Sequence, residues 1–292
     1  MTTKPIGLIG AGLLGGAIAA RLLEAGFRVI GYDTGQAKRT ELEAAGALLA
    51  AGPSEIAAKC DRVILSLPNS HIASEVIGQM APVLEPGSLV IDTTTGSPHD
   101  AEAAAETLEA RGCGYMDASV GGSSKQTRAG EVVVMAGARP ADFAAAGPIF
   151  ATFARRTFHL GPPGAGARMK LVFNMVLGLN RAVLGEALAF SERYELPGAQ
   201  VLEILKDGAT YSKVMDTKGA KMLSCEFTPP EARLAQHLKD VRLMLKESQE
   251  IGANTPLTEL HERLLSAAVE MGFEAADNSA VVEVFRKEKA TA

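Results

Sequence analysis

Between two short apolar runs near its start the chain reads Gly10-Ala11-Gly12-Leu13-Leu14-Gly15. Ile6 to Ile9 ahead of it reads as a strand. Leu14 to Ala25 behind it reads as a helix closed by Gly26, and Arg28 to Tyr32 as a second strand that runs into Asp33. Glycines at this spacing mean little alone in a chain with 30 of them. In the order strand, turn, helix, strand, acid, they leave few folds open. The first glycine permits the tight turn, the second lets backbone approach a pyrophosphate, and the third lets the helix pack on the strand. The phosphates would rest on the helix N-terminus, where free N–H groups and the dipole favour anions. Asp33 stands where a carboxylate hydrogen-bonds a ribose diol, and its charge would repel a 2′-phosphate. NAD is therefore favoured, while Lys38 and Arg39 just beyond leave NADP possible. Lys4 and the apolar run to Ala20 also imitate a secretion signal, but the glycine spacing favours strand, turn and helix.

The alternation continues. A helix over Gln36 to Ala45, strands over Arg62 to Leu67 and Ser88 to Ile91, and a helix near Ile72 to Met80 are expected. A helix follows from Pro98 to Ala110, then strands at Gly114 to Asp117, Glu131 to Ala136 and Thr157 to Leu160. Strands spaced by helices of this length predict βαβ units and a mostly parallel sheet. Near Gly161 the pattern changes. Residues 166–194 form one helix, apolar round most of its circumference and so expected to be buried. Amphipathic helices follow near 199–206, 230–251, 257–271 and 277–287. The expected fold class is an α/β Rossmann-type domain over residues 1–162, followed by an all-α domain over 163–292 that the long helix joins to it.

The balance of residue types removes several function classes. A net charge of −5 with the two signs mixed leaves no basic stripe for nucleic acid. Cys60, Cys113 and Cys225 form no CxxC pair and the five histidines no HxxxH or HxH, which argues against a metal site and for a reducing, cytoplasmic location. Met169 to Phe190 is apolar, yet Lys170, Asn174, Asn180, Arg181 and Glu186 interrupt it too often for a lipid-facing span. So much apolar helix surface is expected to pack against a second copy, giving a homodimer or homotetramer acting on a small molecule.

Gly161-Pro-Pro-Gly164-Ala-Gly166-Ala-Arg-Met-Lys170-Leu-Val-Phe-Asn174 opens the long helix. Lys170 and Asn174 stand at i and i+4, on one face a turn apart. A lysine in an otherwise apolar helix is costly unless it has a partner or a task. Beside a positively charged nicotinamide it would give up its proton more readily, which suits exchange with an alcohol or carbonyl oxygen. Spacing alone equally allows a lysine snorkelling from a first turn.

Four stretches resemble the β-hydroxyacid dehydrogenase family, and the resemblance runs from about Ile6 to Phe285. They are Gly7 to Gly15, Asp92-Thr-Thr-Thr95-Gly-Ser-Pro98, Asp117-Ala-Ser-Val-Gly-Gly-Ser123 with Gly130 beyond, and the stretch from Gly161 to Asn174. Lys239-Asp240 is similar to the family's KD pair, and Asp277-Asn-Ser-Ala280 to its closing D-x-S-A. The resemblance implies hydride transfer between a nicotinamide and a hydroxy acid, with Lys170 as general acid/base and Asn174 orienting it. It implies that Thr95, the turn Leu67-Pro68-Asn69 and Lys239 touch the cofactor. It implies that the loop Ser119, Val120, Gly121, Gly122, Ser123 and Ser124 binds the substrate's acid group, chiefly through backbone N–H groups. The chain departs from the family at Leu14 (usually methionine), Ser119 (proline), Gly121 (serine), Ser123 (glycine) and Phe173 (asparagine). The glycine at 121 is similar to the variant loop of sulfolactaldehyde reductases, without their neighbouring arginine. Other readings are a succinic semialdehyde- or imine-reductase-like enzyme, a 6-phosphogluconate-type decarboxylase, or a non-catalytic dinucleotide-binding scaffold. Lys170 counts against the imine and scaffold readings, since such relatives usually lack the lysine.

Overall fold

The computed structural model describes residues 4–287. Two compact units divide after Lys170. The first opens with β1 (Ile6–Ile9), α1 (Leu13–Glu24), β2 (Val29–Tyr32), α2 (Gln36–Ala44), β3 (Leu48–Leu49), α3 (Pro53–Lys59) and β4 (Arg62–Leu65). It continues with α4 (Ser70–Met80), β5 (Leu89–Asp92), α5 (Pro98–Glu109), β6 (Gly114–Gly121), α6 (Ser124–Arg128), β7 (Val132–Ala138), α7 (Pro140–Phe150) and β8 (Ala154–His159). The strands make one sheet in the order β3-β2-β1-β4-β5-β6-β7-β8. Only the β6–β7 pair is antiparallel. The Rossmann-type sheet expected from the sequence is thus present.

The strands are apolar on both faces because helices cover both. Ile6, Leu8, Ile64, Ile91, Met116, Ala118 and Val120 enter one core with Ile18 and Leu22 of α1. Ile9, Val63, Leu65, Val90 and Tyr115 enter the other with Ile77 and Met80 of α4. Gly26 and Gly46 sit at φ +82° and +98° just past α1 and α2, the left-handed conformation that ends a helix and favours glycine. Four elements of this unit lie outside the sequence expectation: β3, α3 and α6, each too short to show a period, and the eleven-residue α7, where Pro148 inside the helix reads locally as a breaker.

One expectation is corrected. Ser119, Val120 and Gly121 are not loop but the end of β6, paired with Met135, Val134 and Val133 of β7. The reason is burial: all eight residues of β6 are buried, so their backbone groups need the ladder. Gly122, at φ +150°, makes the exit. Ser124 then starts α6, with Ser123 as its cap.

The long helix α8 (Ala165–Arg193) begins in the first unit and continues into the second. Its length and apolarity match a membrane span, with a mean hydropathy of 1.3. It buries Leu171, Leu184 and Leu188 in a helical core and also buries Asn174 and Arg181, as a core helix does. The second unit adds α9 (Gly198–Asp207), α10 (Lys213–Ser224), α11 (Leu234–Glu250), α12 (Pro256–Glu270), a 3₁₀ turn over Asn278–Val281 and α13 (Val282–Arg286). Helix α10 also lies outside the sequence expectation. Its Gly219 reads locally as a breaker, yet a Cβ there would lie 2.6 Å from Leu202, so the glycine permits close contact with α9.

Asp277 pins this unit together. Its fully buried carboxylate accepts from Lys218 Nζ at 2.9 and 2.8 Å, from the Glu231 N–H at 2.8 Å, and from the N–H and hydroxyl of Ser279. Burial alone would raise its pKa. The Lys218 ammonium and the Ser279 donors outweigh that and hold it well below the usual carboxylate range.

Candidate active site

The crossover point of the sheet lies between β1 and β4, where chain order reverses and open α/β sheets bind ligands beyond the strand ends. The turn after β1 is built as the sequence suggested. Gly10 has φ +94°, and a Cβ there would collide with the Ser66 carbonyl. A Cβ at Gly15 would collide with the Gly10 carbonyl, so no side chain fits. A Cβ at Gly12 would meet nothing within 4 Å. That open space lies at the N-cap of α1, where no side chain caps the helix. The first-turn N–H groups beside exposed Leu13 and half-buried Leu14 are thus presented to an anion. Asp33 is tied to this turn. Its Oδ2 accepts the Ala11 N–H at 2.7 Å and its Oδ1 the Gly35 N–H at 2.7 Å. Arg39 folds back on the end of β2, donating to the Asp33 and Thr34 carbonyls, while Lys38 pairs with Glu41. These residues fit a dinucleotide: open glycine backbone for the diphosphate and a fixed carboxylate for a ribose.

The Leu67-Pro68-Asn69 turn follows β4 at the same end of the sheet. The Leu67 N–H donates to Thr94 Oγ1 at 3.1 Å, linking this turn to the Thr93–Thr95 stretch after β5. Pro68 is exposed, and Thr95 is half-buried. Asn69 Oδ1 accepts the Ile72 N–H and caps α4, so that oxygen serves the helix.

Lys170 Nζ donates to the Val120 carbonyl at 2.5 Å. This places the amine at the end of β6, against the segment whose residues the sequence assigned to substrate. Within that segment Ser119, Val120 and Gly121 are buried, while Gly122 is exposed. Ser123 needs a correction. Its N–H donates to Gln126 Oε1 at 2.9 Å and its Oγ accepts the Gln126 N–H at 3.3 Å, a capping box that engages the N–H expected to meet the acid group.

Asn174 and Lys239 meet in the helical unit through Asp240, a residue with no role expected from its sequence position. Asn174 Nδ2 donates to Asp240 Oδ2 at 3.1 Å, and Lys239 Nζ lies 3.0 Å from Asp240 Oδ1 as an ion pair. Asp240 and Asn174 are both buried. The adjacent Lys239-Asp240 pair was the signal.

Asp117 and Asp92 are register partners on β6 and β5. Burial pushes both carboxyls up, Asp117 to about 7 and Asp92 to about 6. Opposing this, Asp117 accepts backbone N–H groups and Asp92 accepts from Thr94 and Tyr115.

Residues 5–161 match the family model for the NAD-binding domain of 6-phosphogluconate dehydrogenase. Residues 164–285 match that for the NAD-binding region of NADP-dependent 3-hydroxyisobutyrate dehydrogenase. The chain is 31% identical to 2-(hydroxymethyl)glutarate dehydrogenase of Eubacterium barkeri, over 97% of this chain and 95% of that one. It is 29% identical to glyoxylate/succinic semialdehyde reductase 1 of Arabidopsis thaliana, over 96% and 98%. The crystal structure of 3-hydroxyisobutyrate dehydrogenase from Salmonella typhimurium superposes with a TM-score of 0.89 at 26% identity, covering 97% of this chain and 100% of that one. The glycine turn fitted to a dinucleotide, the lysine at the end of β6 and these full-length matches together make the chain a member of the β-hydroxyacid dehydrogenase family, an NAD(P)-dependent oxidoreductase.

Proposed function

We propose that the protein interconverts a small 3-hydroxy acid and its semialdehyde, with Lys170 as general acid/base and NAD favoured over NADP. The observation that carries this reading is the Lys170 Nζ held at 2.5 Å from the Val120 carbonyl. An amine held at the end of β6 supports a proton-exchanging role. A bound nicotinamide would accept or supply the hydride. The protein's part is position and the proton. In oxidation Lys170 Nζ takes the hydroxyl proton; in reduction it returns a proton to the carbonyl oxygen. The acid group of the substrate lies along the Gly122–Ser124 turn, where the Ser123 hydroxyl remains a donor. Gly121, where the family usually has serine, offers no hydroxyl to that acid group. Asn174 positions the substrate, tethered by Asp240 and Lys239.

Asp33 supports NAD. Its carboxylate is held in place by two N–H groups, and Lys38 is paired with Glu41 rather than directed at a 2′-phosphate. The test is absorbance at 340 nm with NAD or NADP and a panel containing 3-hydroxyisobutyrate and 2-(hydroxymethyl)glutarate, and the reduced cofactors with succinic semialdehyde and glyoxylate. Turnover of at least one pair, with a lower KM for NAD than for NADP, is expected. Tight cofactor binding without turnover of any member would overturn the hydroxy-acid reading.

Helix α8 leaves Val172, Val176, Val183 and Phe190 exposed, and Phe190 meets exposed Tyr194, just past the helix end, edge-on at 5.1 Å. A stripe of this kind on one helix supports a homodimer as the working unit, a homotetramer being the next assembly. Light scattering should give at least twice the 30.5 kDa chain mass; a monomer at micromolar concentration would remove the proposal.

A further inference from the structure

Helix α8 starts without a cap of its own. Gly164, the residue ahead of Ala165, has φ +91° and no side chain to offer the first-turn N–H groups. Such groups need acceptors when buried. A strand residue supplies them: Asp117 Oδ1 accepts the Gly164 N–H at 2.7 Å, and Asp117 Oδ2 accepts the Ala167 N–H at 2.6 Å. Ala167 is the third residue of the helix, a usual target of an N-cap side chain. The carboxylate also complements the helix dipole.

The surrounding glycines fit this joint. A Cβ at Gly166 would lie 2.7 Å from Asp117 Oδ2 and 2.5 Å from the Met135 carbonyl. A Cβ at Gly137 would lie 2.6 Å from Asp117 Oδ1 and 2.6 Å from the Pro162 carbonyl. The start of α8 therefore rests on β6 and β7 at a distance only glycine allows. Farther along, Lys170 Nζ reaches the Val120 carbonyl. One strand thus holds the helix at two points, by a side chain at 117 and a carbonyl at 120.

We propose that Asp117 is a positioning residue: by capping α8 it fixes where the Lys170 amine lies at the end of β6. This rests on the reading of Lys170 as general acid/base. Two motifs far apart in sequence, the one opening at Asp117 and the one running from Gly161 to Lys170, are then a single device. The buried carboxyl, pushed up to about 7, is a costly group to keep at a place where an apolar residue would pack. That cost fits a role in orientation better than one in stability.

The test compares Asp117→Asn, Gly166→Ala and Lys170→Ala in the full chain. The readouts are kcat and KM, cofactor affinity by fluorescence, and hydrogen exchange of the peptide over residues 161–172. In Asp117→Asn the new side chain keeps one acceptor and turns an N–H₂ toward the other amide. Exchange across Gly164–Arg168 should rise about tenfold while that of β1 and α1 stays as in the wild type. The kcat should fall ~10- to 100-fold, the range in which a displaced catalytic group costs rate. The KM for cofactor should stay within about twofold. Gly166→Ala keeps the carboxylate but lifts the helix, so it should reproduce the kcat loss and serves if Asp117→Asn does not fold. Wild-type kcat and exchange in both variants, with Lys170→Ala inactive, would overturn this inference alone. Full activity in Lys170→Ala would overturn the acid/base reading and, with it, the positioning role.

Discussion

Lys170→Ala is expected to lower kcat by ~10²–10⁴-fold, the usual contribution of a positioned general acid/base. Cofactor affinity should change little, because the glycine turn and Asp33 make their contacts within the β1–α1–β2 segment. Lys170→Arg separates charge from proton exchange. The guanidinium can still donate toward the Val120 carbonyl but does not give up its proton near neutral pH. It should therefore be nearly as inactive as the alanine variant. Steady-state rates with the best substrate from the screen decide the matter. An arginine variant with more than about a tenth of wild-type kcat would show that lysine supplies charge and not a proton.

The second large effect falls on stability. Asp277→Ala leaves the Lys218 ammonium, only 7% exposed, without its closest carboxylate. Removing one partner of a buried ion pair costs about 3–5 kcal/mol. Glu231 at 3.4 Å from Lys218 offsets part of this, which favours the lower end of that range. Urea unfolding followed by circular dichroism should show the loss at pH 7. The pH dependence has a definite sign. The Asp277 carboxyl is depressed in the fold, so its contribution is present above the ordinary carboxylate value near ~4 and fades only as pH falls through its lower native value. The gap between wild type and variant should thus persist at pH 5 and narrow under strong acid. The double change Asp277→Ala with Lys218→Met should recover part of the loss, because the Lys218 ammonium is then no longer buried without its carboxylate, while buried Arg181 still loses the nearby Asp277 charge. A single variant within 1 kcal/mol of wild type would mean that Glu231 replaces Asp277 fully.

The contrast between what the sequence disclosed and what it withheld is physical. Strand and helix periods, glycine C-caps and the Gly10–Gly15 turn are local, and each was legible. The segment Ser119–Gly121 was not, because a serine, a valine and a glycine become a strand only through pairing with β7, whose residues come more than ten positions later. The Ser123–Gln126 capping box has a local signature and was open to reading, yet the glycines around it suggested loop. The Asp117 joint could not be read: its amide partners lie 47 and 50 residues away and carry no side-chain mark. The same holds for the buried pair of Asp277 with Lys218, 59 residues apart. Asp240 lay in a dipeptide already noted, and only the fold shows that it ties Asn174 to Lys239.

Strand β6 alternates between two packed faces of the sheet. Ala118 and Val120 point into the core shared with α1, so their side chains answer to folding. Ser119 and Gly121 alternate to the other face, with Asp117, and are equally buried. Exchange among small residues at 119 and 121 therefore leaves the α1-side packing untouched. A substitution at 119 or 121 is felt first on the Asp117 side of the sheet, the side from which the start of α8 is capped.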